Sequence, residues 1–402
     1  MTLFPPTLCS VNSFNINASF LTGDPTGHDN RIHVLWVAKG LGPGGMERLL
    51  LHHAKSGDSR RFRYSVAYVL DRPHSVIPEL RSLGVEVHQL ATTAGPVGWA
   101  YSLRMLVRNE RVDVVHLHSP AVAAVARPAL RALRHRPAVM TTEHNSWDCY
   151  SLTTRVANVA TYPLDDHRLA VSSDAVTSVP RLLRGRSEVL IHGIDLEHHG
   201  SRQQVRSEVR EELGIDDDAV AVIVVANHRA EKGWDVLLAA AREVISAHPG
   251  VVFLGVGHGQ LEDHHRAQLE LMKLGPAFRM LGFRSDVGRL LAASDVFALA
   301  SRQEGIPVAV MEAMGRGLPV VATAVGGLPL AVEHEQSGLL VPSEDPSALA
   351  EALSRIVGDA QLRRHLAAGA LVASEAFDVR RAVGVIEQRY LDTFRGDAAH
   401  ST

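Results

Sequence analysis

The chain contains 402 residues, of which 46% are hydrophobic and 21% are charged, and its formal net charge is −3. This length allows two or three domains with sizeable cores, and the charge argues against a dedicated nucleic-acid-binding protein, which would carry a broad basic excess. The two cysteines, Cys9 and Cys149, match no metal-ligand spacing and cannot form a disulfide framework, which favours a reducing, cytoplasmic compartment.

The first 30 residues are rich in Asn, Ser, Thr and Pro, and we expect residues 1–30 to form a flexible extension. No Lys or Arg precedes Arg31, so the charged start of a signal peptide is missing. No apolar run along the chain approaches the ~20 residues needed to span a bilayer. These features also favour a cytoplasmic protein.

Seven short apolar runs in the first half of the chain predict strands separated by helices or loops. They are Arg31–Ala38, Tyr64–Leu70, Val85–Leu90, Val112–His118, Ala138–His144, Arg168–Ser172 and Glu188–His192. Nearly continuous apolar strands that alternate with helices are typical of a parallel sheet covered on both faces. Residues 31–193 are therefore predicted to form a doubly wound, Rossmann-like α/β domain.

A glycine-rich segment, VAKGLGPGGMERLL, includes the end of the first strand and the turn after it. Gly40, Gly42 and Gly45 spell a formal G-x-G-x-x-G, and Asp71 ends the next strand where a ribose-binding carboxylate would lie. A dinucleotide site is therefore one interpretation of this segment. A lone G-x-G-x-x-G is a weak signal, however, and Pro43 within the turn departs from the usual dinucleotide fingerprint.

Two strands of the first domain end in histidine, at His118 and His144, and ligands of open α/β sheets bind beyond such strand ends. A structural role is the alternative interpretation for each histidine. Between them, Arg127, Arg131 and Arg134 recur at helical spacing and predict one basic helix face. Such a face is suited to contact with anionic lipid headgroups at a membrane surface, with a solvated face as the alternative.

The strand pattern pauses between Gly193 and Asp218, where a polar stretch predicts a linker between two domains. Six more predicted strands follow: Ala219–Asn227, Val251–Gly257, Phe278–Phe283, Val296–Ser301, Pro319–Thr323 and Gly338–Val341. They assign residues 194–378 to a second Rossmann-like domain and residues 379–402 to a C-terminal helix with a polar tail from Arg395. Two such sheets that face each other predict a ligand-binding cleft between the domains.

Two cations, Arg229 and Lys232, follow directly on the Ala219–Asn227 strand. A guanidinium can fork onto phosphate oxygens and an ammonium acts as a point charge, so together they can hold a diphosphate and stabilise the charge that grows as it departs. An exposed surface pair beside Glu231 is the alternative interpretation. The position at the cleft end of the strand favours the diphosphate site.

Two glutamates, Glu304 and Glu312, flank the start of a predicted helix after the Val296–Ser301 strand. Pro307 suits the beginning of that helix because it lacks an N–H group that would otherwise be unsatisfied. A carboxylate at such a strand end can accept two hydrogen bonds from a sugar or ribose diol. The alternative is a solvated loop residue and an exposed helical glutamate.

These motifs resemble those of glycosyltransferase family 4, a family of retaining enzymes with the GT-B fold of two facing Rossmann-like domains. The resemblance rests on the E-x(7)-E pair within SRQEGIPVAVMEAMGRGLPVVAT, the cations of VVANHRAEKGWD, the GG-x-E of the first glycine-rich turn, and TTEHN, which is similar to the family's T-x-H segment. It extends from about Arg31 to the C-terminal helix and is densest from Val220 to Pro342. The VVANHRAEKGWD motif is a shorter variant of the family's commoner form, which has a Gly before the Arg.

The resemblance implies that the second domain binds a nucleoside-diphosphate sugar and the first an acceptor. It implies that Glu304 binds the transferred sugar, that Glu312 binds the ribose, and that Arg229 and Lys232 replace a metal ion or other cofactor. His144 would face the transferred sugar, so the catalytic set is His144, Arg229, Lys232 and Glu304. The further donor-binding positions are Gly44, Gly45, Gly257, Phe283, Gly305, Ile306 and Pro307, and His118 is assigned to the acceptor.

Other functions stay open on the sequence alone. A GT-B-fold sugar epimerase or phosphorylase would reuse both domains, an NAD-dependent dehydrogenase would use the Gly40–Gly45 turn, and a non-catalytic sensor would bind the nucleotide sugar without turnover. The acceptor of a transferase is expected to be a hydroxyl compound whose class the sequence leaves open, as it does the base, the sugar and the oligomeric state.

Overall fold

The structure is a computed structural model that describes residues 29–93, 95–196 and 202–400. The predicted extension lies, apart from its last two residues, outside the described residues. Two parallel sheets organise the chain, one of seven strands and one of six. All thirteen predicted strands are present, with ends that differ from the predicted ones by no more than three residues.

The first sheet has the order β3-β2-β1-β4-β5-β6-β7. Its strands are β1 (Ile32–Gly40), β2 (Phe62–Leu70), β3 (Glu86–Gln89), β4 (Val114–Leu117), β5 (Ala138–Glu143), β6 (His167–Ala170) and β7 (Ser187–Val189). The central strand β1 is apolar on both sides, with Trp36 and Leu35 fully buried on opposite faces. Helices therefore cover both faces of this sheet, as the continuous apolar run predicted.

The helices of the first domain connect successive strands. They are α1 (Gly45–Ser56), α2 (Ile77–Ser82), α3 (Gly95–Asn109), α4 (Pro120–Arg131), α5 (Leu152–Thr161) and α6 (Ser173–Ser178). Short 3₁₀ turns supplement them at Trp147–Cys149, Tyr162–Leu164 and Arg181–Arg186. The carboxyl ends of β1, β4 and β5 lead into α1, α4 and the Trp147–Cys149 turn, so these turns form one rim of the sheet.

The second sheet has the order β10-β9-β8-β11-β12-β13. Its strands are β8 (Val220–Val225), β9 (Val251–Val256), β10 (Phe278–Gly282), β11 (Val296–Leu299), β12 (Val320–Thr323) and β13 (Gly338–Val341). The helices that follow the linker are α7 (Arg202–Leu213), α8 (Trp234–Ala247), α9 (Glu262–Leu271), α10 (Val287–Ala293), α11 (Val308–Gly315), α12 (Leu328–Ala331), α13 (Pro346–Gly358), α14 (Ala360–Ser374) and α15 (Val379–His400), with 3₁₀ turns at Ala230–Lys232 and Glu375–Phe377.

The predicted linker is partly wrong, because α7 is an integral helix of the second domain. The side chain of Val209 is fully buried, and Arg210 donates to the carbonyl oxygen of Ala293 at 3.1 Å and to Asp295 at 2.7 Å. Val209 is the one buried apolar residue of α7, so the polar sequence of this helix resembles that of a linker. The junction itself lies at Ile194, which pairs with Asp378 in an isolated parallel bridge.

The C-terminal helix α15 packs on the first domain, although the chain reaches it from the second. The hydroxyl of Tyr390 accepts a hydrogen bond from Nε1 of Trp36 at 3.2 Å and lies 2.7 Å from Nδ1 of His116. Glu387 accepts hydrogen bonds from the hydroxyl of Tyr64 and from the backbone N–H of Asp58. The helix was predicted to end at Phe394, but its backbone continues to His400 through residues such as alanine that favour helices.

The predicted basic face of α4 is wrong, because Arg127 is a core residue. It is fully buried, and its guanidinium donates to Asp165 at 2.8 Å and to Asn158 at 2.7 Å. Arg131 is held by Asp166 and by the carbonyl oxygen of Leu164. Because acidic partners from a distant segment neutralise these guanidiniums, helical spacing alone misplaced them on the surface.

Candidate functional site

The carboxyl ends of the two sheets face each other, and described residues of both domains meet across a cleft. A Cβ atom added to Gly305, after β11, would lie 2.9 Å from the carbonyl oxygen of His144, after β5. Nearby, Arg48 of α1 reaches Glu312 of α11, with 3.4 Å between its Nη2 and Oε1. The predicted cleft is therefore present, with the predicted glutamate motif on one wall and the predicted histidine on the other.

Glu304 is a buried carboxylate in the turn between β11 and α11. Its Oε1 accepts hydrogen bonds from Nζ of Lys232 and from the hydroxyl of Ser301, each at 2.6 Å. The backbone of this turn packs so tightly on the Gly326-Gly327 segment that a Cβ at Gly326 would overlap the carbonyl oxygen of Glu304 at 1.8 Å. The turn is thus held rigidly, and its carboxylate is oriented by one cation and one hydroxyl.

Glu312 lies in α11 as predicted, but it is buried rather than exposed. Its side chain faces the first domain, where Arg48 of α1 is its cationic partner. Pro307 is the residue immediately before α11, in an extended conformation, and its carbonyl oxygen accepts the first hydrogen bonds of the helix. Ile306, beside it, is buried against the second-domain core, so this part of the motif anchors the turn.

The two predicted phosphate ligands differ in their surroundings. Lys232 ends the 3₁₀ turn Ala230–Lys232, and its Nζ lies 2.6 Å from Oε1 of Glu304, whereas the side chain of Arg229 is 64% exposed and lies 3.8 Å from Glu231. Arg229 is also close enough to Glu47 of the first domain to act on its pKa. At the cleft, Arg229 is therefore an exposed cation, whereas Lys232 is paired with a carboxylate.

The glycine-rich turn forms the start of α1 and the opposite wall of the cleft. Gly44 precedes the helix, and the Glu47 carboxylate folds back so closely that a Cβ at Gly44 would lie 2.4 Å from it. Gly45 faces Val308 of α11, 3.5 Å from its hypothetical Cβ. Burial raises the pKa of Glu47 to about 7, while its backbone hydrogen bonds and the charges of Arg229 and Arg72 oppose this shift.

His144 belongs to a group of histidines that extends from the cleft into the first-domain core. Its Nε2 lies 3.1 Å from Nδ1 of His118, and its ring stacks on that of His192 with centroids 5.5 Å apart. His116 lies beside His118 and bonds to Thr142 and the α15 tyrosine. Burial lowers the pKa of His116, His118 and His144 well below the ordinary value, so all three are neutral at pH 7.

The remaining predicted positions lie at the ends of β9 and β10. Gly257 follows β9, and its N–H donates to the carbonyl oxygen of Gly282 at 2.9 Å. The ring of Phe283 stacks on His74 of the first domain with centroids 4.0 Å apart, and His258 contacts it edge-on. Phe283 is therefore a contact between the domains at this edge of the cleft.

Three residues of the site carried no signal in the sequence. Arg48 is one of many helical arginines, Ser301 is an ordinary strand-end residue, and His192 lies in a segment predicted only as a strand end. Their roles arise from contacts between segments far apart in the chain. Throughout the described residues, no group of three or more His, Cys, Asp or Glu side chains is arranged to hold a metal ion, and no described helix is long and apolar enough to cross a membrane.

Comparison with known proteins found one family model in each half of the chain. Residues 43–198 match the family model described as Glycosyltransferase Family 4, and residues 219–359 match the model described as Glycosyl transferases group 1. The D-inositol 3-phosphate glycosyltransferase of Saccharomonospora viridis is 29% identical over 330 residues, which are 78% of this chain and 72% of that protein.

Two further comparisons cover most of the chain. The UDP-Gal:alpha-D-GlcNAc-diphosphoundecaprenol alpha-1,3-galactosyltransferase of Escherichia coli is 26% identical over 312 residues, 72% of this chain and 78% of that protein. The crystal structure of HepE from Anabaena in complex with UDP-glucose aligns with a TM-score of 0.79 at 24% identity, covering 91% of this chain and 100% of that one. The fold is therefore GT-B, and with one family model on each domain, together matching most of its length, the chain belongs to glycosyltransferase family 4.

Proposed function

We propose that the protein is a retaining, metal-independent hexosyltransferase that moves a sugar from a nucleoside diphosphate to a hydroxyl acceptor. The observation that carries the proposal is the arrangement around Glu304. This carboxylate is buried, is oriented by Lys232 and Ser301, and lies in the turn that meets the His144 segment across the cleft. A sugar between the two walls would have a carboxylate acceptor on one side and an imidazole on the other.

The charges of the cleft support separate binding positions for the phosphate, sugar and ribose parts of the donor. The Lys232–Glu304 pair is a place where phosphate and sugar would meet, because the ammonium suits a diphosphate and the carboxylate suits sugar hydroxyls. Glu312 would accept hydrogen bonds from the ribose, with Arg48 orienting its carboxylate. Arg229, exposed beside this pair, would close on the departing diphosphate. Gly44, Gly45 and Gly257 would let backbone approach the donor, and Phe283 would lie by the base.

Retention follows in this proposal from a front-face route. The bond from the anomeric carbon to the diphosphate oxygen breaks, the acceptor oxygen bonds to that carbon on the same face, and its proton passes to the leaving diphosphate. Arg229 and Lys232 would stabilise the charge of the leaving group, and neutral His144 would accept or donate a hydrogen bond to the sugar. The anomeric configuration of the product, measured by NMR from the first turnover, tests this route.

Relatives suggest where donor and acceptor searches should begin. The HepE structure contains UDP-glucose, so UDP-sugars are the first donors to test. By their names, the two relatives compared above act on an inositol phosphate and on a diphosphoundecaprenol-linked sugar. We propose that this chain likewise transfers the sugar of a nucleotide sugar to the hydroxyl of an acceptor that binds in the first domain, near His118 and His144. Release of UDP from a UDP-sugar only in the presence of acceptor would establish the reaction.

Arg229→Ala and Lys232→Ala are each expected to weaken binding of the nucleoside diphosphate by about 10- to 100-fold. The reason is the loss of charge-assisted hydrogen bonds that are each worth roughly 1.5–3 kcal/mol. Isothermal calorimetry with UDP measures the effect. Arg242→Ala, at an exposed arginine of α8, is the matched control, and affinities equal to the wild type in both cleft variants would contradict the phosphate clamp.

Chelation is expected to leave most turnover intact, because Arg229, Lys232 and backbone N–H groups are proposed to meet the charge of the diphosphate. The measurement compares initial rates with and without excess EDTA at fixed donor concentration. Complete loss of activity in EDTA, restored by Mg²⁺ or Mn²⁺, would show that the proposed metal-independent route is wrong.

A further inference from the structure

An apolar face of α5 is exposed to solvent in the described structure. Leu152, Val156 and Val159 are 76%, 61% and 45% exposed, and their spacing places them along one side of the helix. The opposite side of the same helix is anchored, since Asn158 is fully buried and accepts a hydrogen bond from Arg127. The orientation of α5 is therefore fixed with its apolar side outward.

A second exposed apolar group borders the same region. Leu182 is 98% exposed on the 3₁₀ turn Arg181–Arg186, and Pro180, which precedes this turn, lines a groove with residues of α5. The groove has a volume of about 460 Å³, and its apolar lining includes Trp147, Val156 and Val159. The α5 stripe, the groove and the Leu182 turn thus form one contiguous surface, which we call the α5 face.

Basic side chains accompany this apolar surface. Arg181 and Arg184 flank Leu182 in the turn, and Arg155 lines the groove. The acidic residue of the groove lining, Asp148, lies 3.7 Å from Arg155, so the arginine offsets its charge. An exposed leucine between arginines matches the boundary of an anionic bilayer, where the leucine enters the apolar layer and the guanidiniums stay at the headgroups.

We propose that the α5 face is a peripheral docking surface for a membrane that contains anionic lipids. Charge complementarity and the apolar turn select a lipid surface as its occupant. The α5 face adjoins the first-domain wall of the cleft, since Trp147 follows His144 by three residues along the chain. Docking therefore presents the acceptor side of the cleft to the bilayer and, in the part that rests on the proposed function, favours a lipid-borne hydroxyl acceptor.

Flotation of the full-length protein with vesicles tests the docking directly and without any donor. Vesicles of phosphatidylcholine and phosphatidylglycerol are expected to carry the protein, and pure phosphatidylcholine vesicles to carry less, with the difference reduced at high salt. Leu182→Asp and Val156→Asp are each expected to lower the partition coefficient at least ~10-fold, because an apolar group that enters the bilayer becomes charged.

The controls separate docking from folding and from catalysis. Val372→Asp changes a residue that is 69% exposed on α14 of the second domain, and it is expected to float like the wild type. Unchanged UDP affinity of Leu182→Asp would show that the cleft is intact. Wild-type protein that does not float with anionic vesicles, or floats equally well after both α5-face substitutions, would overturn the proposal, whatever the outcome for the transferase reaction.

Discussion

Replacing Glu304 by Gln is expected to reduce turnover by about 10²- to 10³-fold while leaving the affinity for the bare nucleoside diphosphate nearly intact. The carboxylate is proposed to touch only the sugar, where hydrogen bonds that strengthen in the transition state raise the rate rather than simple affinity. Its fixed partners, Lys232 and Ser301, are within 2.6 Å, so the isosteric amide changes charge with little change in shape. Steady-state kinetics with the sugar donor and calorimetry with UDP measure the two quantities.

Glu312→Gln provides the matched comparison, because it changes the second glutamate of the same motif. This variant is expected to lower the affinity for the sugar donor and for the bare nucleotide alike, since both contain the ribose. Arg48→Met tests the partner across the cleft and should reproduce part of the Glu312 effect. Equal loss of nucleotide affinity in the Glu304 and Glu312 variants would contradict the division of roles. Full activity in both would contradict the transferase proposal itself.

The protein is expected to lose several kcal/mol of its free energy of unfolding between pH 6.5 and pH 5.5. Burial lowers the pKa of His53 to about 3 and of His192 to about 4, and it holds His116, His118 and His144 well below the ordinary value. These groups bind protons in the unfolded chain from about pH 6.5 downward but stay neutral when folded. For each such histidine, the contribution to the free energy of unfolding is therefore nearly complete at pH 7.5 and falls by about 1 kcal/mol between pH 6.5 and 5.5, and the slope approaches about 1.4 kcal/mol per pH unit at lower pH.

One carboxyl group of the cleft stabilises the folded protein as the pH falls from 6.5 to 5.5, which opposes the effect of the histidines. Because the pKa of Glu47 is raised to about 7, the folded protein takes up its proton before the unfolded chain does, which offsets about 1 kcal/mol between pH 6.5 and 5.5. The histidines outnumber it, so the net change remains a loss. Urea unfolding followed at pH 7.5, 6.5 and 5.5 gives both the free energy and, from its slope, the number of protons taken up on unfolding.

His53→Gln isolates one member of the group. The amide can still bond to the hydroxyl of Tyr64, which lies 3.2 Å from Nε2 of His53, but it does not titrate. The pH slope of stability is expected to fall by about one proton. His264→Gln, at an exposed histidine of α9, is the control and should leave the slope unchanged. A wild-type stability that is flat from pH 7.5 to 5.5 would show that the buried histidines are not neutral as proposed.

The fold and the walls of the cleft could be predicted from local pattern. Each strand is a short apolar run between polar segments. The apolar composition of strands such as β1 and β8 therefore predicts that both of their faces are buried. The E-x(7)-E and Arg-Lys motifs lie within a few residues of strand ends. Because parallel strands direct their carboxyl ends to one edge of the sheet, the edge that lines the cleft could be predicted without knowledge of packing.

Positions that depend on distant partners could not be predicted in this way. The spacing of Arg127 and Arg131 is that of a surface stripe, yet Asp165 and Asp166, more than thirty residues further along the chain, draw both arginines inward. The polar sequence of α7 contains no local pattern that predicts its packing on the second domain. The return of α15 to the first domain, through Tyr390 and Trp36, joins residues 354 positions apart.

The sequence by itself determined which segments become strands, which ends of those strands line the cleft, and therefore the family. It did so because hydrophobic periodicity and short motifs are local properties that survive without knowledge of neighbours. Only the tertiary structure decided that Glu304 accepts a hydrogen bond from Lys232 and that Glu312 faces Arg48. It also decided that α5, rather than α4, presents the exposed apolar and basic surface. These contacts and exposures depend on which elements pack together. A charge that becomes buried needs a partner of opposite charge, and an apolar side chain that no other element covers remains exposed.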